Sequence, residues 1–138
     1  MNISTSMIII GIIVILALGI ILFLNHIGFF TKIVIEVKEV GPYVLIYEEH
    51  VGEYKDTGKI QDKIYYSLLN EHKIETYKGF GIYYDNPNEV PSNELRSIAG
   101  CILEKSDYDK IDYLKENGFK VKELPLQKSI VAEFPYVN

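Results

Sequence analysis

Met7 to Leu24 is an unbroken run of 18 apolar or glycine residues, free of charge and proline. As a helix it measures about 27 Å, close to the roughly 30 Å hydrocarbon core of a bilayer. Asn25 and His26 supply a polar boundary, and Phe29 and Phe30 follow where interfacial aromatics are common. A cleaved signal peptide is the rival reading. It fits less well, because the run lacks a basic n-region, exceeds the usual apolar core and precedes no A-x-A site. The expectation is a single retained membrane helix over 7–24, after a tail over 1–6 and before a juxtamembrane linker over 25–31. No Lys or Arg precedes the helix, whereas Lys32 and Lys38 lie just beyond it. The positive-inside rule then turns the remaining domain toward the cytoplasm. A lone cysteine, Cys101, agrees with a reducing compartment.

Every charged side chain falls from Lys32 onward, a length that suits one small domain. A net charge of -5 gives no electrostatic footprint for nucleic acid. One cysteine also excludes a disulfide framework and a Cys-rich zinc site. Strands are expected at 31–40 and 44–49, broken by Gly41-Pro42, and at 80–85, 95–103, 120–124 and 129–134. A helix is expected at 58–72, capped by Asp56 or Thr57, with Ile60, Ile64, Leu68 and Leu69 on its buried face. A second helix is expected at 107–117, with Ser106 as N-cap, Asp109 at N3 and Gly118 past its end. The order implies an α+β fold, an N-terminal transmembrane helix followed by a β-α-β-β module with helices on one face of an antiparallel sheet. A weak echo relates Val37-Lys38-Glu39-Val40 with Pro42 to Val121-Lys122-Glu123-Leu124 with Pro125. It suggests a first module over about 32–104 and the start of a second, truncated one over about 105–138.

The segment Gly81-Ile82-Tyr83-Tyr84-Asp85-Asn86-Pro87, followed by Glu89-Val90-Pro91 and Glu94-Leu95-Arg96, is distinctive. So is Glu49-His50-Val51-Gly52-Glu53-Tyr54 ahead of the expected helix. Together they resemble the signature of the GyrI-like small-molecule-binding superfamily, which includes effector-binding domains of bacterial transcription activators. With an N-terminal apolar helix, Arg96 to Leu103 and the ending Val131 to Tyr136, the chain is most similar to the membrane-anchored, testis-expressed ER-phagy receptor branch and its prokaryotic relatives. The resemblance implies a duplicated β-α-β-β fold with a ligand groove between the halves. In the family, the acidic residue that receives cationic ligands lies in a portion with no counterpart here, so no residue takes that role. On this reading one chain does not close a two-module groove, and strand 129–134 would have one neighbour. The chain would then be a fragment, or a homodimer building the groove from two copies, with a self-sufficient monomeric single module as the third reading.

Eleven tyrosines and no tryptophan suit a groove for flat or cationic ligands, since tyrosine offers a wide face with a polar tip. Tyr47, Tyr54, Tyr83 and Tyr84 are the groove candidates, with packing as the competing role for each. Asp85 and Arg96 bracket the proline loop. They would form an ion pair, or Asp85 would cap the turn, or Arg96 would contact an anion. Asp85 to Glu89 lacks the glycine and glutamate spacing of a calcium loop, and neither a metal nor a cofactor is expected. No nucleophile elbow, P-loop or H-E-x-x-H is present, and Cys101 reads as a buried inert thiol. The reading is a non-enzymatic binding module for a small hydrophobic or cationic molecule or a protein partner at the membrane. The alternative is a small hydrolase of strained electrophiles, using a glutamate among Glu48, Glu49 and Glu53 buried against tyrosine.

Overall fold

A computed structural model describes residues 4–134. Residues 1–3 of the expected tail, and 135–138 with the Pro135-Tyr136 ending, lie outside the described residues. In chain order the elements are α1 (Thr5–His26), β1 (Val34–Val40), β2 (Tyr43–Val51), α2 (Thr57–His72), β3 (Gly79–Tyr83), β4 (Arg96–Leu103), α3 (Ile111–Glu116), β5 (Lys120–Leu124) and β6 (Gln127–Glu133). The architecture is α+β. The chain falls into two compact units, Met1–Lys38 with Lys128–Asn138, and Glu39–Gln127.

In the first unit, α1 is a 22-residue helix whose residues are all unburied. It is apolar on every side, so no face distinguishes a core from a surface. It is long and apolar enough to cross a membrane by length and composition. Beyond it, the chain turns at Gly28 (φ 74°), and the Thr31 N–H donates to the Gly28 carbonyl. That turn delays β1 to Val34, three residues after the expected start at Thr31. β1 pairs with β6 in a two-stranded sheet, which gives β6 one neighbour among the described residues. Lys38 bonds Glu36 and Glu133, which sets one face of this ribbon as polar. Alternation puts Ile35, Val37, Ile130 and Phe134 on the other face, and all of them are exposed.

The second unit is a four-stranded sheet in the order β3-β4-β2-β5, with every neighbouring pair antiparallel. The two echo segments thus pair crosswise, β1 with β6 and β2 with β5. α2 lies on one face. Ile64 and Leu68 pack on Val44 and Ile46 of β2 and on Cys101 and Leu103 of β4, with Ile74 and Leu114 completing the core. Ile60 is partly buried against the same core. α2 ends where Lys73 turns left-handed (φ 57°), and the Ile74 N–H reaches back to the Leu68 carbonyl at 2.9 Å. The buried Ile74 side chain then seals the end of the helix.

Two helix starts differ from the sequence reading. A 3-10 turn, Tyr54–Asp56, feeds directly into α2, so neither Asp56 nor Thr57 caps it with a side chain. Thr57 Oγ1 donates instead to the Tyr54 carbonyl at 2.8 Å, and Asp56 pairs with Lys59. The expected helix 107–117 is a 3-10 segment, Lys105–Lys110, followed by the short α3. Ser106 therefore lies inside the 3-10 segment rather than capping a helix, with its hydroxyl on Asp107. Tyr108, Ile111 and Leu114 all pack on the core. Their spacing of three favours the tighter coil over α-helix in the first turns. Gly118 (φ 86°) ends the segment where expected.

Gly100 of β4 stands opposite Tyr47 of β2. A Cβ there would lie 1.9 Å from the Ile46 carbonyl oxygen and 2.9 Å from Tyr47 Cα. Backbone, not a movable side chain, blocks the position. We predict that Gly100→Ala destabilises the domain by about 2–3 kcal/mol, read as a lowered denaturant midpoint with unchanged slope. An unchanged midpoint would show that the strands can part without cost.

Candidate functional site

Because α2 covers only one face, strand alternation sends Tyr47, Glu49 and Val51 of β2, Arg96 and Ile98 of β4, and Lys122 of β5 to the opposite face. Tyr84, just past β3, joins them through its N–H bond to the Arg96 carbonyl at 3.0 Å. A groove of about 470 Å³ opens here, bordered also by His50 and Ser97. That volume lies within the range of small-molecule sites. Ser97 is 2% exposed, and its hydroxyl has no hydrogen-bond partner among the described residues. A second depression of about 500 Å³ shares Tyr47 but runs toward Ser67 and Phe119. It is walled by Glu48 and Glu49, both already paired, with Lys63 and Lys120. The first groove combines two tyrosines with convergent polar groups and is the better candidate.

Of the four tyrosines singled out from sequence, Tyr47 and Tyr84 line this groove together. Tyr54 and Tyr83 are not among its lining residues; their rings pack against each other at a tilt of 53°, with centroids 4.6 Å apart. The Tyr54 hydroxyl donates to the Asp85 carbonyl at 2.8 Å and accepts the Asp85 N–H at 3.0 Å. The Tyr83 hydroxyl lies 3.2 Å from Thr57 Oγ1. Both rings therefore fasten the start of α2 to the end of β3.

Asp85 is the hub of the loop. Its carboxylate accepts the Arg96 backbone N–H at 2.7 Å, and takes Arg96 Nε at 3.0 Å and Nη2 at 2.7 Å in a fork. In effect a side chain continues the β3–β4 ladder beyond the last backbone pair. The Asx turn of this loop sits one residue later, where Asn88 N–H donates to Asn86 Oδ1 at 3.1 Å. Arg96 holds the Asp85 carboxyl below the ordinary carboxylate range, and Asp85 in turn raises the guanidinium. Arg96 itself stays 67% exposed and keeps an edge toward the groove.

The remaining chemistry-bearing groups have plain roles. Glu49 is 65% exposed and pairs with Lys120 at 2.9 Å, Glu48 pairs with Lys63, and Glu53 with Lys55. Cys101 is buried at the centre of the core, and burial pushes its thiol up, away from reactivity. Among the described residues, no three His, Cys, Asp or Glu side chains converge as metal ligands. Sequence reasoning missed Lys122, His50 and Ser97 as groove residues. With Val121 packed on the core, alternation turns Lys122 to the opposite face, and its place beside the groove follows from the register with Leu45.

Two consequences follow for stability. Tyr54→Phe strands the Asp85 N–H and should cost about 1–2 kcal/mol, whereas Tyr84→Phe should leave the melting temperature almost unchanged. The folded-state pKa of Asp85 lies below its unfolded value, so its contribution is complete above the ordinary carboxylate pKa and fades as pH falls through the depressed one. Asp85→Asn should therefore lower the melting temperature at pH 7 by several degrees, with a gap that narrows in strong acid. A gap that is constant with pH would assign the loss to something other than the carboxylate.

A family model for the GyrI-like small molecule binding domain matches residues 34–137. Testis-expressed protein 264 of Homo sapiens is 32% identical over 97 residues, covering 67% of this chain and 29% of that protein. Its homolog in Mus musculus is 34% identical over the same length and shares. The chain thus matches less than a third of the length of these curated relatives. No solved structure matches. With three quarters of its length under the family model, and with homology to these two relatives, the chain belongs to the GyrI-like small-molecule-binding domain family.

Proposed function

We propose that the chain is a membrane-anchored binding module that takes a small molecule in the groove between Tyr47 and Tyr84. The observation that carries this reading is the groove itself, open on the face that α2 leaves uncovered and lined by two tyrosines, Val51 and Ile98 with a few polar groups. The family description, a small molecule binding domain, agrees with it. α1 supplies the anchor, and Lys32 and Lys38 just beyond it favour a cytoplasmic domain. The reading is non-enzymatic. The hydrolase alternative needs a glutamate buried against Tyr84, and Glu49, the carboxylate that lines the groove, is exposed and engaged by Lys120. A protein partner at the membrane is the second reading, supported by the exposed apolar face of Ile35, Val37, Ile130 and Phe134. Homodimerisation along β6 is supported by its edge, which has no neighbour among the described residues, beside exposed Ile130 and Phe134.

The test is tyrosine-ring NMR of the full chain in micelles against a library of small aromatic fragments. Fragments should shift Tyr47 and Tyr84, and Tyr47→Ala or Tyr84→Ala should abolish binding while Tyr54→Phe retains it. Fragments that shift Tyr54 or Tyr66 but neither groove ring would refute the site. For the anchor, the full chain should stay with membranes through alkaline carbonate extraction, and deletion of 5–26 should release it. Release of the intact chain would refute anchoring.

A further inference from the structure

We propose that the groove selects anions: its ligand is a flat aromatic carrying a carboxylate or similar acidic group, held between Tyr47 and Tyr84 with its charge on Lys122 and the open edge of Arg96. The inference rests on the groove reading above and adds the sign of the ligand's charge. It comes from a charge inventory. The lining contains Arg96, Lys122, His50 and a single carboxylate, Glu49. Glu49 is already engaged by Lys120 at 2.9 Å. The neighbouring Asp85 carboxylate accepts the Arg96 N–H, Nε and Nη2, so its lone pairs are spent on the protein. Among the described residues, the lining keeps no unpaired carboxylate to receive a ligand cation.

The cationic side of the inventory is not balanced in the same way. Lys122 lies on the groove face, opposite Leu45 in the register, and makes no ion pair among the described residues. Arg96 spends Nε and Nη2 on Asp85 and remains 67% exposed, so its planar group presents further N–H donors outward. The His50 imidazole borders the same lining and adds no negative charge to it. A cation entering here would meet two cations and spent carboxylates. An aromatic anion would stack on tyrosine and complete the donors that the protein leaves open.

The test uses two probes of nearly equal shape and opposite charge, 2-naphthoate and 2-naphthylmethylammonium. Each is titrated by calorimetry into the full chain in nonionic micelles, with empty micelles in parallel. Naphthoate should bind and shift the Tyr47 and Tyr84 rings, the ammonium should bind at least tenfold more weakly, and added salt should weaken naphthoate. Lys122→Gln should weaken naphthoate by about fivefold, and Lys122→Glu should reverse the preference. Equal or tighter binding of the ammonium would overturn the anion inference while leaving the groove intact. Binding of neither probe would overturn the groove reading and this inference with it. Naphthoate affinity unchanged in both Lys122 variants would overturn the assignment of the charge to Lys122.

Discussion

The pairing of β2 with β4 is the constraint on which the rest of the domain depends. It runs from Val44 opposite Leu103 to Val51 opposite Arg96, eight residues in register. A one-residue slip would turn every side chain to the wrong face. In the observed register, Val44, Ile46, Cys101 and Leu103 share the face that α2 covers, while Tyr47, Glu49, Ile98 and Arg96 share the other. Gly100 permits the approach because nothing larger than hydrogen fits beside the Ile46 carbonyl. Core and groove are two sides of one ladder, and the site inherits its geometry from the packing.

The loop between β3 and β4 is fastened to that ladder at its far end. Arg96 is both the first residue of β4 and the partner of Asp85, and Tyr54 ties the Asp85 backbone to the turn that begins α2. The Tyr-Tyr-Asp-Asn-Pro signature therefore divides its labour. Tyr84 is left facing the groove, Tyr83 and Asp85 hold the strand end, and Asn86 forms the turn. A motif that identifies a family need not be a list of ligand contacts; here much of it is scaffolding for Tyr84, its one member that lines the groove.

Local signals in the sequence carried much of this. Alternation and Gly-Pro breaks marked the strands to within a few residues, and the spacing of Ile60, Ile64 and Leu68 marked α2. The apolar run marked α1, although the helix extends past it to Thr5 and His26. What was not legible is non-local. Nothing in a single sequence states that β5 adds beside β2, and without that neighbour neither Lys120 reaches Glu49 nor Lys122 reaches the groove. The 3-10 segments escaped for a different reason. Capping residues such as Asp56 and Ser106 suit a helix start, but packing of Tyr108, Ile111 and Leu114 on the core decided the coil.

Amide hydrogen exchange tests the central place of the β2–β4 ladder most directly. On this account the amides of 44–47 and 99–102 are the slowest in the domain and exchange only through global unfolding, while β3 and the 84–95 loop open earlier. Exchange of β2 and β4 as fast as β3, with the α2 amides still protected, would contradict it.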